Sequence, residues 1–135
     1  MTDAESRQGV QAFRSAVEAG DADALLATLA PDVRFCSPAV FRPYEGRDAV
    51  APLLRAVTTV LSPTIHYTWE VRDAERAVLG FIAHVDDKAL EGVDIVTWGD
   101  DGLILTLTVM IRPLSGLVSL KGAIADQLTA DNSPQ

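Results

Sequence analysis

Three features of this sequence predict an α+β domain, a cone-shaped barrel in which a curved, mostly antiparallel sheet wraps around N-terminal helices and a C-terminal helix closes it. Apolar residues recur at helical spacing near the N-terminus, alternate along successive segments between residues 65 and 112, and return to helical spacing after Pro113. The chain has 135 residues, 48% of them hydrophobic, which is one domain's worth and enough to bury a core without metal or disulfide staples. No repeat, linker or low-complexity segment divides it, so a single domain over residues 1–135 is expected, with a frayed polar tail over about 130–135.

From Ser6 to Glu18, Val10, Phe13 and Val17 share one helical face, and Gly20 supplies a stop. Asp21 suits the cap of a second helix, with Asp23 in its first turn and Leu25, Leu26 and Leu29 as its apolar stripe before Pro31 ends it. Val33 to Ser37 alternates as a short strand closed by Pro38, and a loop through Tyr44 and Gly46 follows. Asp48 is the expected cap of a third helix reaching Leu61. Pro52 then falls in the first turn, where its missing N–H is tolerated, whereas an earlier start would let it kink the helix.

Ile65 to Arg72 is the clearest strand, with Ile65, Tyr67, Trp69 and Val71 on one face and His66, Thr68, Glu70 and Arg72 on the other. Ala77–Val85 and Lys88–Trp98 read as a hairpin about Asp86-Asp87-Lys88. A two-residue turn puts Asp94 on the face of Leu79, Phe81 and Ala83, and a three-residue turn would reverse this. After the Gly99-Asp100-Asp101-Gly102 turn, Leu105, Leu107, Val109 and Ile111 alternate with Thr106, Thr108 and Met110 until Pro113. A last helix from Leu114 to about Leu128 turns Leu117, Leu120, Ile124 and Leu128 inward.

Asp94 interrupts the apolar run Gly92-Val93-Asp94-Ile95-Val96 and is the candidate catalytic residue. An unpaired charge in a dry interior costs roughly several kcal/mol or neutralises by shifting its pKa, so it needs a partner or a task. One reading is a carboxylic acid on a pocket floor, donating to a ligand carbonyl or acting as general acid or base. The other is a structural aspartate satisfied by backbone N–H groups or a buried water. The expected apolar lining is Phe13, Leu53 and Val57 from the helices, then Ile65, Tyr67 and Trp69 from the first long strand. Leu79, Phe81 and Val96 from the hairpin, and Leu107, Val109 and Ile111 from the last strand, complete it.

Tyr67 and Trp69 suit a flat apolar ligand with one polar atom, or ordinary core packing. Ser37 is either a pocket donor or a plain strand end. Arg42 and Tyr44 lie in a loop that would rim the mouth or simply face solvent. His66 and His84 fall on the face opposite Asp94, which argues against a His-Asp pair and for surface or dimer-interface positions. Cys36 points away from the pocket beside Ser37 with no histidine placed to activate it.

A net charge of −8 and a pI near 4.5 argue against nucleic acid or an anionic membrane as partner. The single cysteine provides no disulfide framework, and the histidines lack metal-ligand spacing, so neither a metal nor a cofactor is expected. The acidic N-terminus has neither the basic start nor the apolar stretch of a secretion signal, and no apolar run approaches the roughly 20 residues that span a bilayer. A cytoplasmic protein is the expectation.

Five joints of the chain stand out: Glu18-Ala19-Gly20-Asp21 with Leu25 and Leu29, Ala30-Pro31-Asp32-Val33-Arg34-Phe35, Tyr44-Glu45-Gly46-Arg47-Asp48-Ala49-Val50, Gly92-Val93-Asp94 with Asp101-Gly102, and the ending Val109-Met110-Ile111-Arg112-Pro113-Leu114. Together they resemble the nuclear transport factor 2-like fold and its SnoaL-like domains, a superfamily that includes ketosteroid isomerases, polyketide cyclases, limonene epoxide hydrolases and scytalone dehydratase. The isomerase pocket holds an aspartate base, a tyrosine and a second, protonated aspartate that together stabilise an enolate. By the resemblance, the tyrosine falls at Phe13, the base at Ser37 and the second aspartate at Asp94. Losing the base and one oxyanion donor should cost orders of magnitude each, so a true ketosteroid isomerase is not expected. The epoxide hydrolases' arginine, two residues before an aspartate, falls at Gly92, which leaves that charged network incomplete as well.

Three functions remain. One is a cofactor-independent isomerase, cyclase or hydro-lyase acting on a small hydrophobic carbonyl compound by proton transfer at Asp94. The second is a protein that binds such a molecule without turning it over. The third is a structural homodimer whose cavity is filled by Trp69 and Phe81. A homodimer is the expected assembly, and a small hydrophobic molecule the expected partner.

Overall fold

Gly20 stands at φ 71°, a left-handed conformation that a residue with a Cβ adopts only at a cost, and it ends the first helix where the sequence predicts. In the computed structural model, which describes residues 3–131, that helix is α1, Asp3–Ala19, and it buries Val10, Phe13 and Ala16. The Asp21 carboxylate accepts from the Ala24 N–H at 3.0 Å and caps α2, Ala22–Ala27, which buries Leu25 and Leu26.

Leu29 does not continue the stripe of α2. It is the first residue of β1, Leu29–Cys36, where it pairs with Ile104 and is fully buried. Strand pairing overrides the short helix, and Pro31, which has no N–H for a ladder, falls in the register irregularity between Leu29 and Arg34. The loop expected through Tyr44 contains a short strand, β2, Tyr44–Glu45, antiparallel to β1, because two residues are too few to show a period. Gly46, at φ 93°, takes the N-cap of α3, Arg47–Leu61. Asp48 therefore lies in the first turn rather than capping, and Pro52 sits two residues further inside than expected, so the Asp48 carbonyl lacks its intrahelical donor.

The remaining elements are β3 (His66–Arg72), β4 (Arg76–Val85), β5 (Lys88–Trp98), β6 (Ile104–Arg112) and α4 (Leu114–Asp131). They build a six-stranded sheet of order β2-β1-β6-β5-β4-β3 in which β1 and β6 run parallel and the other pairs antiparallel. The helix α4 continues through Asp131, and residues 132–135 of the expected tail lie outside the described residues. A two-residue turn, with Asp86 at φ 55°, pairs Val85 with Lys88 and hence Leu79 with Asp94, which turns the carboxylate toward the helices.

Two β-bulges break the simple alternation. Between Tyr67 and Trp69 the partner strand advances only from Phe81 to Gly80, so Tyr67 is buried while Trp69 and Val71 turn to the outer face, 49% and 64% exposed. Gly80 makes the outward turn possible: a Cβ there would lie 2.0 Å from the Trp69 indole. Leu105 is the extra residue of the second bulge, between Thr97/Thr106 and Trp98/Ile104. Ile104 therefore takes the inward place and Leu105 is exposed. The core lies between the inner sheet face and the helices, with Phe13, Leu54, Leu79, Phe81, Val96 and Leu120 all buried in it.

Candidate functional site

The curl of the sheet leaves a cavity of about 260 Å³ between its inner face and the helices. On α1 the helical stripe brings Phe13 to its wall, and on α3 the i, i+4 spacing brings Leu53 and Val57. Ile65 comes from the residue before β3, Tyr67 and Phe81 from β3 and β4, and Leu107, Val109 and Ile111 from β6, as the alternation predicts. Ser37 also borders it.

Three expected lining residues do not. The bulge carries Trp69 to the outer face, where it stands over Gly80. Leu79 and Val96 are on the inner face but have no exposure and do not reach the cavity, because the open space borders only part of each strand. Sequence periodicity identifies a face, not the length of it that stays uncovered.

Asp94 is 6% exposed, and its Oδ2 accepts a hydrogen bond from the Tyr67 hydroxyl at 2.6 Å. Both residues line the cavity. Tyr67 lies on β3 and Asp94 on β5, so the phenol reaches across the intervening β4. Burial pushes the Asp94 carboxyl up from 3.8 to about 7, while donation from Tyr67 pulls in the opposite direction by favouring the carboxylate. The Tyr67 phenol is held well above its ordinary 10.0, first by burial and then by the charge and hydrogen bond of Asp94.

The ring of Tyr67 is fixed by what surrounds it. Phe81 meets it edge to face with centroids 6.0 Å apart, and the Arg14 guanidinium lies 5.6 Å from its centroid. Arg14 is itself held by Glu18 at 3.1 Å, by the Tyr67 carbonyl at 3.4 Å and by Glu70 at 3.9 Å. The site thus presents one buried carboxyl near neutrality, aimed by an anchored phenol, in walls that are otherwise nearly all apolar.

Ser37 closes a turn: its Oγ accepts from the Ala39 and Val40 N–H groups at 3.2 and 3.1 Å, which leaves its own O–H free to donate. Tyr44 reaches the cavity wall and packs edge to face on Phe35 at 6.2 Å, whereas Arg42 is exposed outside it. His66 and His84 are exposed and off the cavity, and Cys36 is half-buried on the outer side beside Arg34 and Met110. Among the described residues, no three His, Cys, Asp or Glu side chains gather as a metal site, and no helix is long and apolar enough to cross a membrane.

The wall extends beyond the expected lining. Helical spacing turns Leu117, Leu120, Ile124 and Leu128 of α4 inward, and all four border the cavity. Lys121 does too, a charge within an apolar helical stripe that the sequence displays openly. Thr58 is buried with its hydroxyl donated to the Leu54 carbonyl at 2.7 Å, and nothing in the sequence marks it.

The sequence profile of the SnoaL-like domain matches residues 10–106. No curated protein matches the chain significantly in sequence. Among solved structures, one described as a steroid delta-isomerase from Pseudomonas aeruginosa is 30% identical with a TM-score of 0.88, covering 96% of this chain and 95% of that one. An uncharacterised protein with a cystatin-like fold from Silicibacter pomeroyi is also 30% identical, with a TM-score of 0.84 over 91% of this chain and 86% of its own. A de novo designed protein with a curved β-sheet, 18% identical, shares the fold with a TM-score of 0.73 over 93% of this chain and 98% of its own.

Proposed function

The chain belongs to the SnoaL-like domain family, and from that premise we propose that it takes a small hydrophobic carbonyl compound into the cavity and moves a proton on it with Asp94 as acid or base. The observation that carries this reading is the Tyr67–Asp94 hydrogen bond of 2.6 Å bordering an apolar cavity. A carboxyl with a pKa near 7 is divided between its two forms at neutral pH, the condition under which one group both accepts and returns a proton efficiently. In the ionised form Asp94 takes a proton from the carbon beside the carbonyl, and the electron pair passes to the carbonyl oxygen as an enolate. Protonated Asp94 then returns the proton at another carbon. No cofactor enters the balance.

The steroid delta-isomerase neighbour supports this class of chemistry without supplying its details. Phe13 has no hydroxyl, and Ser37 is neither a carboxylate nor free of its turn, so the positions that resemble the ketosteroid isomerases' tyrosine and base are both changed. Tyr67 provides a phenol from a different element, and proton transfer falls to Asp94 alone.

Binding without turnover is the second reading, supported by the same apolar walls and by the loss of a separate base. The filled-cavity alternative is weakened because Trp69, one of its two fillers, stands outside. A homodimer through the outer sheet face belongs to the proposal: Trp69, Ile82 and Met110 are 49%, 44% and 56% exposed there, an apolar group of the kind that marks an association surface.

The test is proton exchange in D2O, followed by NMR at the carbon beside the carbonyl of a panel of cyclohexenones and aryl ketones. Wild type should accelerate exchange and Asp94→Asn should not, while binding falls by no more than about 1–3 kcal/mol, the loss of one hydrogen-bond partner. Binding without exchange in wild type would support the second reading. No binding by wild type would remove both.

A further inference from the structure

Four apolar residues of α4, Leu117, Leu120, Ile124 and Leu128, line the cavity at helical spacing, and Lys121 lies in the same stripe, one turn beyond Leu117 and one before Ala125. Among the described residues it is the only cation on the cavity wall, as Asp94 is the only carboxylate. It makes no ion pair among them either, whereas Arg14, Arg34, Arg55 and Arg112 are each paired. Its exposure, with that of Ala39, Val40 and Ala125, marks the part of the wall where the cavity meets solvent.

A lysine in this position lays its methylene stem along apolar surface and keeps its ammonium in water. The polar groups of the cavity are then divided, with a buried neutral-to-anionic pair inside and a free positive charge at the opening. The rest of the molecule makes that charge matter. With a net charge of −8, the surface repels an anionic ligand unless a cation stands at the point of entry. One ammonium, with no arginine fork beside it on the wall, balances a single negative charge, which suits a carboxylate better than a phosphate.

We propose that the ligand is an apolar keto or hydroxy monocarboxylate, its carboxylate paired with Lys121 at the cavity mouth and its other oxygen at the Tyr67–Asp94 pair. This rests on the reading of the cavity given above and adds the ligand's charge and orientation. Lys121 is a specificity residue and takes no part in proton transfer.

Matched pairs test it: 4-oxo-4-phenylbutanoate and alkyl keto acids of similar size, each against its methyl ester, measured by isothermal titration calorimetry on the full chain. Wild type should bind each acid about two- to fivefold more tightly than its ester, a preference that shrinks with added salt. Lys121→Met, which keeps an apolar stem, should abolish the preference by weakening the acid much more than the ester, and Lys121→Arg should retain it. Equal affinity for acid and ester in wild type, or equal losses for both in Lys121→Met, would overturn the proposal while leaving the cavity reading intact. If neither member of any pair binds wild type, the cavity reading fails and this inference with it. Asp94→Asn should weaken acid and ester alike, so the contributions of the two ends are read on separate variants.

Discussion

Replacing Asp94 by Asn should make the protein more stable than wild type above neutral pH, and this tests the central claim about the site without any ligand. The folded-state carboxyl titrates near 7 and an unperturbed one near 3.8, because burial disfavours the charge more than the Tyr67 hydrogen bond restores it. Between those two values the folded chain holds a proton at Asp94 that the unfolded chain has released. Stability contributed by this group is therefore complete below about pH 4, declines as the pH rises, and is gone above about 7. Each pH unit corresponds to 1.36 kcal/mol, so a window of about three units is worth on the order of 4 kcal/mol, a large share of the roughly 5–15 kcal/mol that holds a domain folded.

Asparagine keeps the shape of the protonated carboxyl and an oxygen for the Tyr67 hydroxyl, but does not titrate. Urea unfolding of both proteins from pH 4 to 8 at constant ionic strength isolates the term, since the other carboxylates contribute equally to each. The two stabilities should be close at pH 4 and diverge in favour of Asp94→Asn up to pH 7, then run parallel. A difference that stays flat across this range, or that moves in favour of wild type, would refute the account of Asp94 as a buried carboxyl with a raised pKa.

Tyr67→Phe removes the donor that favours the ionised form, so the folded-state pKa of Asp94 should rise further and the upper end of the same window should shift to higher pH in the same urea series. At the outer face, Met110→Asp puts a charge on the apolar patch that it forms with Trp69 and Ile82 and should shift the proposed dimer to monomer in sedimentation equilibrium, with the urea midpoint of the isolated monomer little changed.

The parts of the site that were legible in the sequence are those set by short-range periodicity. The alternation of its strand places Asp94 with Gly92 and Val96 on one face, but which face turns inward depends on the length of the Asp86-Asp87-Lys88 turn, open in the sequence between two and three residues and decided by the pairing of Val85 with Lys88. The pairing of Asp94 with Tyr67 was not legible. It depends on β3 lying on the far side of β4 from β5 and on a phenol long enough to cross β4; the hairpin turn shows β4 beside β5, but no local pattern shows a phenol on β3 reaching a carboxylate two strands away. Leu29 was misassigned for a related reason: its apolar spacing suits a helix as well as a strand, and only pairing with Ile104, far along the chain, decides between them. Lys121 was visible, but a charged residue in an apolar stripe gains meaning only once the stripe borders an open space.

Trp69 connects the unread part of the fold to the proposed function. Tyr67-Thr68-Trp69-Glu70-Val71 reads as unbroken alternation, and the residue that breaks it lies on the next strand, where Gly80 leaves room for an indole that any side chain would exclude. Had the alternation continued, the indole would have shared the inner face with Tyr67 and occupied space beside Asp94, and the outer face would have carried polar Glu70 in its place. The single bulge therefore acts on both sides of the sheet. It keeps a large side chain out of the cone that holds the carboxyl, and it places the same side chain among Ile82 and Met110 on the surface proposed for dimerisation.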